Sequence, residues 1–201
     1  MTMTDMQKSA LLEAGNIGSG HAAIVLSQLM DRKIMIDIPS IEVFELSQLG
    51  KILGSQGKIF VQVSLEVLGG VRGVMIFVIE EGLAIALCDI IMGQEKGATK
   101  RLGELEESAI KEVGSIISAS YLNAVNKMTA IALVISIPHY NIGKIEFLKN
   151  VLVEKGIKMK DTQECLCIET ELIDNLTNIR SFLIFIPFDD AIDKIIKALG
   201  V

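Results

Sequence analysis

The stretch SALLEAGNIGSGHAAIVLSQLMDRKIMIDIP, residues 9–39, decides how the chain folds, because the sequence repeats it. Shifted by 99 residues and without a gap, it aligns with SAIKEVGSIISASYLNAVNKMTAIALVISIP, residues 108–138, and nine of the 31 aligned positions are identical. The two halves also end alike, since GVMIFVIEEGLAIALCDIIMG at 73–93 resembles SFLIFIPFDDAIDKIIKALG at 181–200. Two matches in the same order predict a tandem duplication with pseudo-twofold symmetry.

The duplication predicts a single domain over 1–201, built from two tandem units. The units cover about 5–93 and 104–201, and the polar, glycine-containing segment 94–103 links them. The uninterrupted apolar segments 74–79 and 182–186 indicate strands that are covered on both faces. Strands joined by short turns are expected to be antiparallel. We therefore predict an α/β fold of the α+β type, with one shared, mostly antiparallel sheet covered by helices.

Hydrophobic periodicity and turn residues give the expected order of elements. The first unit is predicted to contain a helix over 5–30 with Thr4 or Asp5 as N-cap, strands over 33–38 and 41–46 around Pro39, a short helix over 46–54, a half-buried strand over 58–66, a buried strand over 73–79 and a helix over 81–92. The second unit is predicted to contain a helix over 105–128, a strand over 130–137, a helical segment near 145–155, strands over 163–173 and 179–187 and a helix over 189–199.

The composition excludes several classes of protein. The 201 residues are 50% hydrophobic and carry a net charge of −6, which excludes intrinsic disorder. A sequence pI of about 5.0 argues against nucleic-acid binding, which needs a basic face. No apolar run approaches the roughly 20 residues that span a bilayer, and the N-terminus lacks the pattern of a signal peptide. We expect a cytoplasmic protein in which Cys88, Cys165 and Cys167 are reduced core thiols.

The two long helices are expected to turn one apolar stripe to the core. These stripes are Leu11, Ala14, Gly18, Ala22, Val25 and Leu29 in the first helix, and Ile110, Val113, Ile117, Tyr121, Ala124 and Met128 in the second. The opposite faces carry Ser9, Glu13, Asn16, Gly20 and Ser27 in the first helix, and Ser108, Glu112, Ser115, Ala119 and Asn126 in the second. Small residues around one carboxylate and one carboxamide are unusual on a solvated helix face, which is ordinarily rich in Lys and Glu. Such a face would let another backbone approach closely.

Other functional patterns find little support. The sequence from Gly18 to Ala23 fits a dinucleotide-binding fingerprint, but that motif needs a preceding strand, and here a helical pattern starts well upstream. His21 and His139, the only histidines, lie at no metal-ligand spacing, so we expect no metal site in the chain. His21 projects at the edge of the apolar stripe and fits a histidine at the core border.

The pattern Ser9-x-x-x-Glu13-x-x-Asn16, followed by a long helix, a strand and Pro39, resembles the signature of the CheC/CheX/FliY family of chemotaxis phosphatases. A partial second copy, with Ser108 and Glu112, ends in Pro138. The resemblance covers essentially the whole chain, and the two copies in about 200 residues are typical of the CheC branch rather than of the single-site CheX branch.

The resemblance implies that the chain dephosphorylates the aspartyl phosphate of the response regulator CheY. It assigns Asn16 to hold a water in line with the phosphorus, as a glutamine does in GTPases. It assigns Glu13 to pair with a cation on the receiver domain. No cofactor of the chain's own is expected, because the resemblance places magnesium on the receiver.

The second copy departs from the family pattern, since Ser115 stands where the asparagine is expected. A hydroxyl is shorter than a carboxamide, so the second site is predicted to be weak or dead, with Glu112 left for docking. A competing interpretation is a non-catalytic adaptor that binds the deamidase CheD or flagellar switch components. The duplication supplies an internal partner, which is compatible with a monomer. The sequence leaves open which receiver is the substrate, where CheD would bind, and the rate and affinity.

Overall fold

The chain forms one seven-stranded sheet whose neighbouring strands are all antiparallel. The computed structural model describes residues 3–145, 148, 153, 163–174 and 177–201. The strands are β1 (Met35–Glu45), β2 (Phe60–Gly69), β3 (Gly73–Glu80), β4 (Leu133–Ile135), β5 (His139–Gly143), β6 (Glu164–Ile173) and β7 (Asn178–Pro187). Within the described ranges five helices accompany them: α1 (Asp5–Leu29), α2 (Leu49–Ile52), α3 (Glu81–Ile91), α4 (Glu104–Thr129) and α5 (Ala191–Ala198). The predicted α+β fold with a shared antiparallel sheet is confirmed.

The strand order places each half of the chain around a common centre. It runs β1-β6-β7-β3-β2-β4, and β5 pairs with β2 beside β4. Exchanging β2 with β6, β3 with β7, and β1 with the pair β4 and β5 gives the same order read from the opposite edge of the sheet. It is the order that a pseudo-twofold axis between β3 and β7 requires. The duplication itself and the unit boundaries at about 5–93 and 104–201 stay predictions.

The core lies on both faces of the sheet, as the apolar segments 74–79 and 182–186 predicted. The helices α1, α3, α4 and α5 cover one face, with Leu11, Ile110 and Phe77 among the buried side chains. A second cluster covers the other face and includes Leu49 and Leu148. This second cover explains why β2 is buried on both faces through Leu65, rather than half-buried as its alternating pattern suggested. None of the described helices is long and apolar enough to cross a membrane.

The helix α1 begins where the sequence predicted. Thr4 is its N-cap, and the Thr4 side chain accepts a hydrogen bond from the Gln7 backbone N–H while the Gln7 side chain accepts one from the Thr4 backbone. This reciprocal arrangement satisfies two backbone donors that a free helix end would leave unpaired. At the other end, the Ser27 hydroxyl accepts from the Ile34 N–H at 2.9 Å and ties the helix to the chain leading into β1. Ser27 is therefore a structural residue rather than part of an open polar face.

Several expected boundaries and positions were wrong. The strands predicted on either side of Pro39 are the single strand β1, which is irregular between Asp37 and Ser40. Strand β1 accommodates Pro39 because it lies at the edge of the sheet and pairs with a neighbour on one side only. The N–H that proline lacks is therefore not needed for a hydrogen bond between strands. The strand predicted over 130–137 is only three residues long, and β5 follows it as a separate strand. The helical segment near 145–155 lies mostly outside the described residues.

The apolar stripe of α1 follows a different row from the one predicted. Leu11, Ala14, Gly18 and Ala22 are buried, but Val25 and Leu29 are exposed and Leu26 is fully buried in their place. The contact with the core follows successive steps of four residues along the helix, from Gly18 through Ala22 to Leu26, which is one of the ridges by which helices pack. In α4 the predicted stripe from Ile110 to Ala124 is buried, and Met128 is half-buried.

The segment 94–103, which connects α3 to α4, is held in place by a buried carboxylate. Asp89, near the end of α3, is 3% exposed and accepts hydrogen bonds from the Gly97 N–H at 2.6 Å and the Thr99 N–H at 2.7 Å. Burial alone would raise the pKa of Asp89, but the hydrogen bonds from Thr99 and Gly97 outweigh it and hold the pKa below its ordinary value. Segment 94–103 is therefore held against α3 by hydrogen bonds to the ionised carboxylate of Asp89.

Two glycines in α1 should respond in opposite ways to the same substitution. A Cβ on Gly18 would lie 2.8 Å from the Tyr121 Cα, so Gly18→Ala must push the α4 backbone away and should lower the free energy of unfolding by about 1–3 kcal/mol. Gly20 has open space around it, so Gly20→Ala should raise that free energy by about 1 kcal/mol through helix propensity. Urea unfolding of both variants measures this. Equal effects in the same direction would contradict the close approach at Gly18.

The Asp89 contact predicts a dependence of stability on pH. Because its pKa is lowered in the folded state, its contribution is complete at neutral pH and is lost as pH falls below about 4. Replacing it by Asn places an amide donor against backbone donors, so Asp89→Asn should lower the free energy of unfolding by about 1.5–3 kcal/mol at pH 7. The deficit should shrink in urea titrations at acidic pH. A deficit that is the same at pH 3 and pH 7 would show that the charge of Asp89 is not what holds the segment.

Candidate functional site

The predicted site residues of the first helix share its solvent face. Ser9, Glu13, Asn16 and Gly20 are all exposed on α1, on the side away from the sheet. The helix is fixed on its other side, where Gly18 contacts the backbone of α4 at Tyr121. Glu13 and Asn16 are three residues apart, which places their Cβ atoms about 5–6 Å apart on one helix surface. The structure therefore presents a carboxylate and a carboxamide together on a rigid, outward-facing surface.

Neither side chain is engaged within the described part of the chain. The Asn16 backbone carbonyl accepts a hydrogen bond from the Ser19 hydroxyl at 3.0 Å, but the carboxamide itself has no described partner. The Glu13 carboxylate likewise forms no hydrogen bond or ion pair with a described residue. An unpaired carboxamide can both donate and accept hydrogen bonds, and an unpaired carboxylate can accept from a cation. The pair is thus free to bind groups that come from outside.

The surface on which the pair lies is open rather than concave. A narrow cavity does lie beneath α1, between that helix, α4 and the sheet, but its volume of about 10 Å³ holds at most one water. It is lined by Gly15, Gly18 and Tyr121 on the inner side of α1, away from Asn16. The arrangement suits the surface of another macromolecule better than a small molecule enclosed in a pocket.

The equivalent face of α4 differs in a way that bears on chemistry. Ser108 and Glu112 are exposed, while Ser115 and Ala119 are half-buried. The Ser115 hydroxyl donates to the Lys111 carbonyl at 2.7 Å, so its only proton is already committed to the helix backbone. Ser115 can therefore accept a hydrogen bond from a ligand but has no free donor to offer one.

The charge around the second face also differs from that of the first. The first turn of α4 carries three glutamates, Glu104, Glu106 and Glu107, whereas the first turn of α1 carries Asp5 alone. Lys111 forms an ion pair with Glu107 at 3.1 Å. The α4 face is thus the more acidic one, which disfavours an acidic or phosphorylated partner.

The other candidate patterns do not form sites. Gly18 and Gly20 lie inside α1 rather than in a turn between a strand and a helix, so no dinucleotide loop is present there. His21 is exposed rather than at the core border, because Ala22 takes the buried position against α4. Among the described residues no group of three or more His, Cys, Asp or Glu side chains could hold a metal ion.

The three cysteines are core residues, as predicted. Cys88, Cys165 and Cys167 are free and buried. Burial raises the pKa of each thiol to about 12, so none of them is a nucleophile at neutral pH.

Sequence reasoning missed one feature of the site. Three exposed apolar side chains, Met6, Ile17 and Ile24, lie along the same side of α1 as Glu13. The signal was available, because projection at 100° per residue places all three within about 40° of Glu13. The predicted apolar stripe was the one on the core face, and this second set lies beside the polar residues on the opposite face.

The N-terminal part of the chain matches a known protein family. The model of the CheC-like family matches residues 6–43, which contain Glu13 and Asn16. The chain is 26% identical over 199 residues to the CheY-P phosphatase CheC of Bacillus subtilis (strain 168), covering 96% of this chain and 94% of that protein. It is 30% identical over 155 residues to the flagellar motor switch phosphatase FliY of the same organism, covering 77% of this chain and 39% of that protein.

Solved structures share the fold. The structure of Thermotoga maritima FliY superposes with a TM-score of 0.82 at 22% identity, covering 100% of this chain and 98% of that one. The middle domain of FliM from H. pylori superposes with a TM-score of 0.71 at 11% identity, covering 98% and 99% of the two chains. The chain is thus similar in sequence to CheC-like proteins, over residues 6–43 by the family model and along nearly its whole length by the alignment with CheC, and it shares the fold of FliY and FliM.

Proposed function

We propose that the chain hydrolyses the aspartyl phosphate of CheY, with Asn16 and Glu13 as its working residues. The observation that carries the proposal is the exposed, unpaired carboxamide and carboxylate on α1, inside the segment that the family model matches. Two relatives named as phosphatases, CheC and FliY of Bacillus subtilis, support the reaction class. The cytoplasmic location and the monomeric state expected from the sequence accompany the proposal as predictions.

Asn16 is proposed to position the attacking water. Its side-chain oxygen accepts one hydrogen of the water, which directs an oxygen lone pair toward the phosphorus. The water oxygen forms the new bond to phosphorus while the bond from phosphorus to the aspartyl oxygen breaks. The water protons stay with the phosphate or pass to solvent, and a free aspartate and inorganic phosphate are released. Phosphoryl transfer responds mainly to positioning and electrostatics, so one well-placed amide suffices without a strong base.

Glu13 is proposed to dock the receiver and fix its orientation. It lies one helical turn from Asn16 and has no described partner, so it can pair with a cation near the phosphorylated aspartate. The resemblance assigns that cation to a lysine of the receiver and places magnesium on the receiver as well. The chain then supplies position and hydrogen bonds, and the substrate protein supplies the ion.

The α4 face is proposed to be a weak or inactive second site. A water bound at Ser115 would meet a hydroxyl whose proton already bonds the Lys111 carbonyl. The serine side chain is also shorter than an asparagine side chain, so it ends farther from the position that the phosphate would take. Glu112 remains exposed and can still contact a receiver.

The proposal is tested by the decay of phosphorylated CheY. Asn16→Ala should lower the added phosphatase rate by about 100-fold, because the water loses its fixed position. The matched control Ser115→Ala should leave the rate within about twofold of the wild type. A larger loss in Ser115→Ala than in Asn16→Ala would reverse the ranking of the two sites.

The same assay separates the phosphatase from the adaptor hypothesis. The alternative that the sequence leaves open is an adaptor that binds CheD or switch components without catalysis. Decay should be measured with the chain alone and with added CheD. Unchanged decay in both conditions would contradict phosphatase activity and favour an adaptor.

A gain of function is expected from repairing the second site. Ser115→Asn restores the carboxamide and releases the Lys111 carbonyl from the serine hydroxyl, so the rate should rise above that of the wild type. In the Asn16→Ala background the same change should restore measurable activity, as followed by phosphate release. The absence of any gain in both backgrounds would show that the α4 face does not receive the substrate.

A further inference from the structure

An apolar stripe runs along α1 through the proposed site. Met6 is 67% exposed, Ile17 is 37% exposed and Ile24 is 60% exposed. Their spacings of 11 and 7 residues bring them back to nearly the same side of the helix at 100° per residue. Glu13, seven residues after Met6, lies on the same line, and Asn16 adjoins it. Three further apolar residues of α1, Leu12, Val25 and Leu29, are also exposed but lie about 100° or more from Glu13, so Met6, Ile17 and Ile24 are the ones that share its side.

The dimensions of the stripe match those of a protein interface. From Met6 to Ile24 the helix advances 18 residues, which is about 27 Å. A standard interface covers about 800 Å² on each partner, a patch about 30 Å across. Any folded partner that brings a phosphate to Asn16, which lies between these ends, must cover the stripe. The side chains would then be removed from water at the moment the motif is occupied.

We infer that Met6, Ile17 and Ile24 form the docking surface for the receiver domain of phosphorylated CheY, and that α1 alone keeps this surface complete. The inference rests on the proposed function. The stripe supplies affinity through apolar burial, while Glu13 and Asn16 supply orientation and chemistry. An uneven division is ordinary in interfaces, where a few residues carry most of the binding free energy.

The equivalent positions of α4 support the assignment to one helix. At an offset of 99, Leu105 corresponds to Met6 and is also 67% exposed. Ile116 corresponds to Ile17, but it is half-buried and packs against the core. Ile24 has become Asn123, which is exposed. The α4 face therefore lacks one apolar anchor, offers another only in part, and carries the more acidic first turn.

The test compares two apolar positions on the same helix. Ile24→Asn installs the residue that α4 carries, and it should raise the KM for phosphorylated CheY by about tenfold or more while kcat stays within twofold. Val25→Asn is the matched control, because Val25 is 43% exposed on α1 but lies about 100° away from Ile24. It should leave both constants unchanged. Asn16→Ala should show the opposite split, with kcat reduced.

A binding measurement keeps the inference separate from the proposed activity. CheY loaded with beryllofluoride, a phosphate mimic, is titrated with the wild-type chain and both variants by calorimetry. Ile24→Asn should weaken this affinity by about tenfold or more, whether or not the wild type accelerates hydrolysis. Tight binding without accelerated hydrolysis would overturn the proposed function and leave the docking surface standing. Circular dichroism melting confirms that both variants are folded.

Three results would overturn the docking surface. The first is an Ile24→Asn affinity equal to that of the wild type, and the second is an equal loss in Val25→Asn. The third is failure of the wild type to bind loaded CheY at all. Light scattering adds a further check, because a wild-type dimer that Ile24→Asn dissociates without affecting CheY binding would assign the stripe to a second copy of the chain. In the converse experiment on α4, the double variant Ser115→Asn with Asn123→Ile should hydrolyse phosphorylated CheY faster than Ser115→Asn alone.

Discussion

The contact between the backbones of α1 and α4 at Gly18 is the constraint on which the rest of the molecule depends. No Cβ fits at Gly18, because it would lie 2.8 Å from the Tyr121 Cα. This approach fixes the rotation of α1 about its own axis, since turning the helix would bring a residue with a side chain to the point where the Tyr121 backbone lies. Once Gly18, Ala22 and Leu26 face inward, the helical repeat leaves Glu13 and Asn16 facing solvent. The orientation of the site is therefore set by packing on its opposite side.

One helix carries two patterns at once, and they compete for its residues. The inner side needs small residues for the close approach, and the outer side needs Glu13, Asn16 and a small Gly20 for a partner. Neither side leaves room for the Lys and Glu pairs that stabilise isolated helices. The Thr4 cap and the Ser27 contact at the two ends therefore contribute more to the stability of α1. The proposed role of Asn16 needs a rigid helix, because positioning a water would leave little tolerance for movement.

The sequence predicted most where a residue's role was local or periodic. The Thr4 cap, the long helices, the buried β3 and β7 and the outward direction of Glu13 and Asn16 all follow from short patterns, and the structure agrees with each. The failures arose where distant segments decide. Burial of β2 on both faces depends on Leu49 and Leu148, and the inward turn of Leu26 in place of Val25 depends on the ridge against α4. The role of Ser115 could be foreseen as weak from its length, but its bond to the Lys111 carbonyl required coordinates.

The two long helices show where such a fold can change and where it cannot. Their inner positions are tied to each other and to the sheet, since a Cβ at Gly18 would lie 2.8 Å from the Tyr121 Cα. Asn16, Ile24 and Asn123 are exposed and Ser115 is only half-buried, so the differences between the two helices at these positions cost the fold little. The proposed weakness of the α4 site therefore needs no compensating change in the core. A chain with two such faces can keep one for a phosphorylated receiver while the other drifts, because the shared sheet holds both helices regardless of what either face binds.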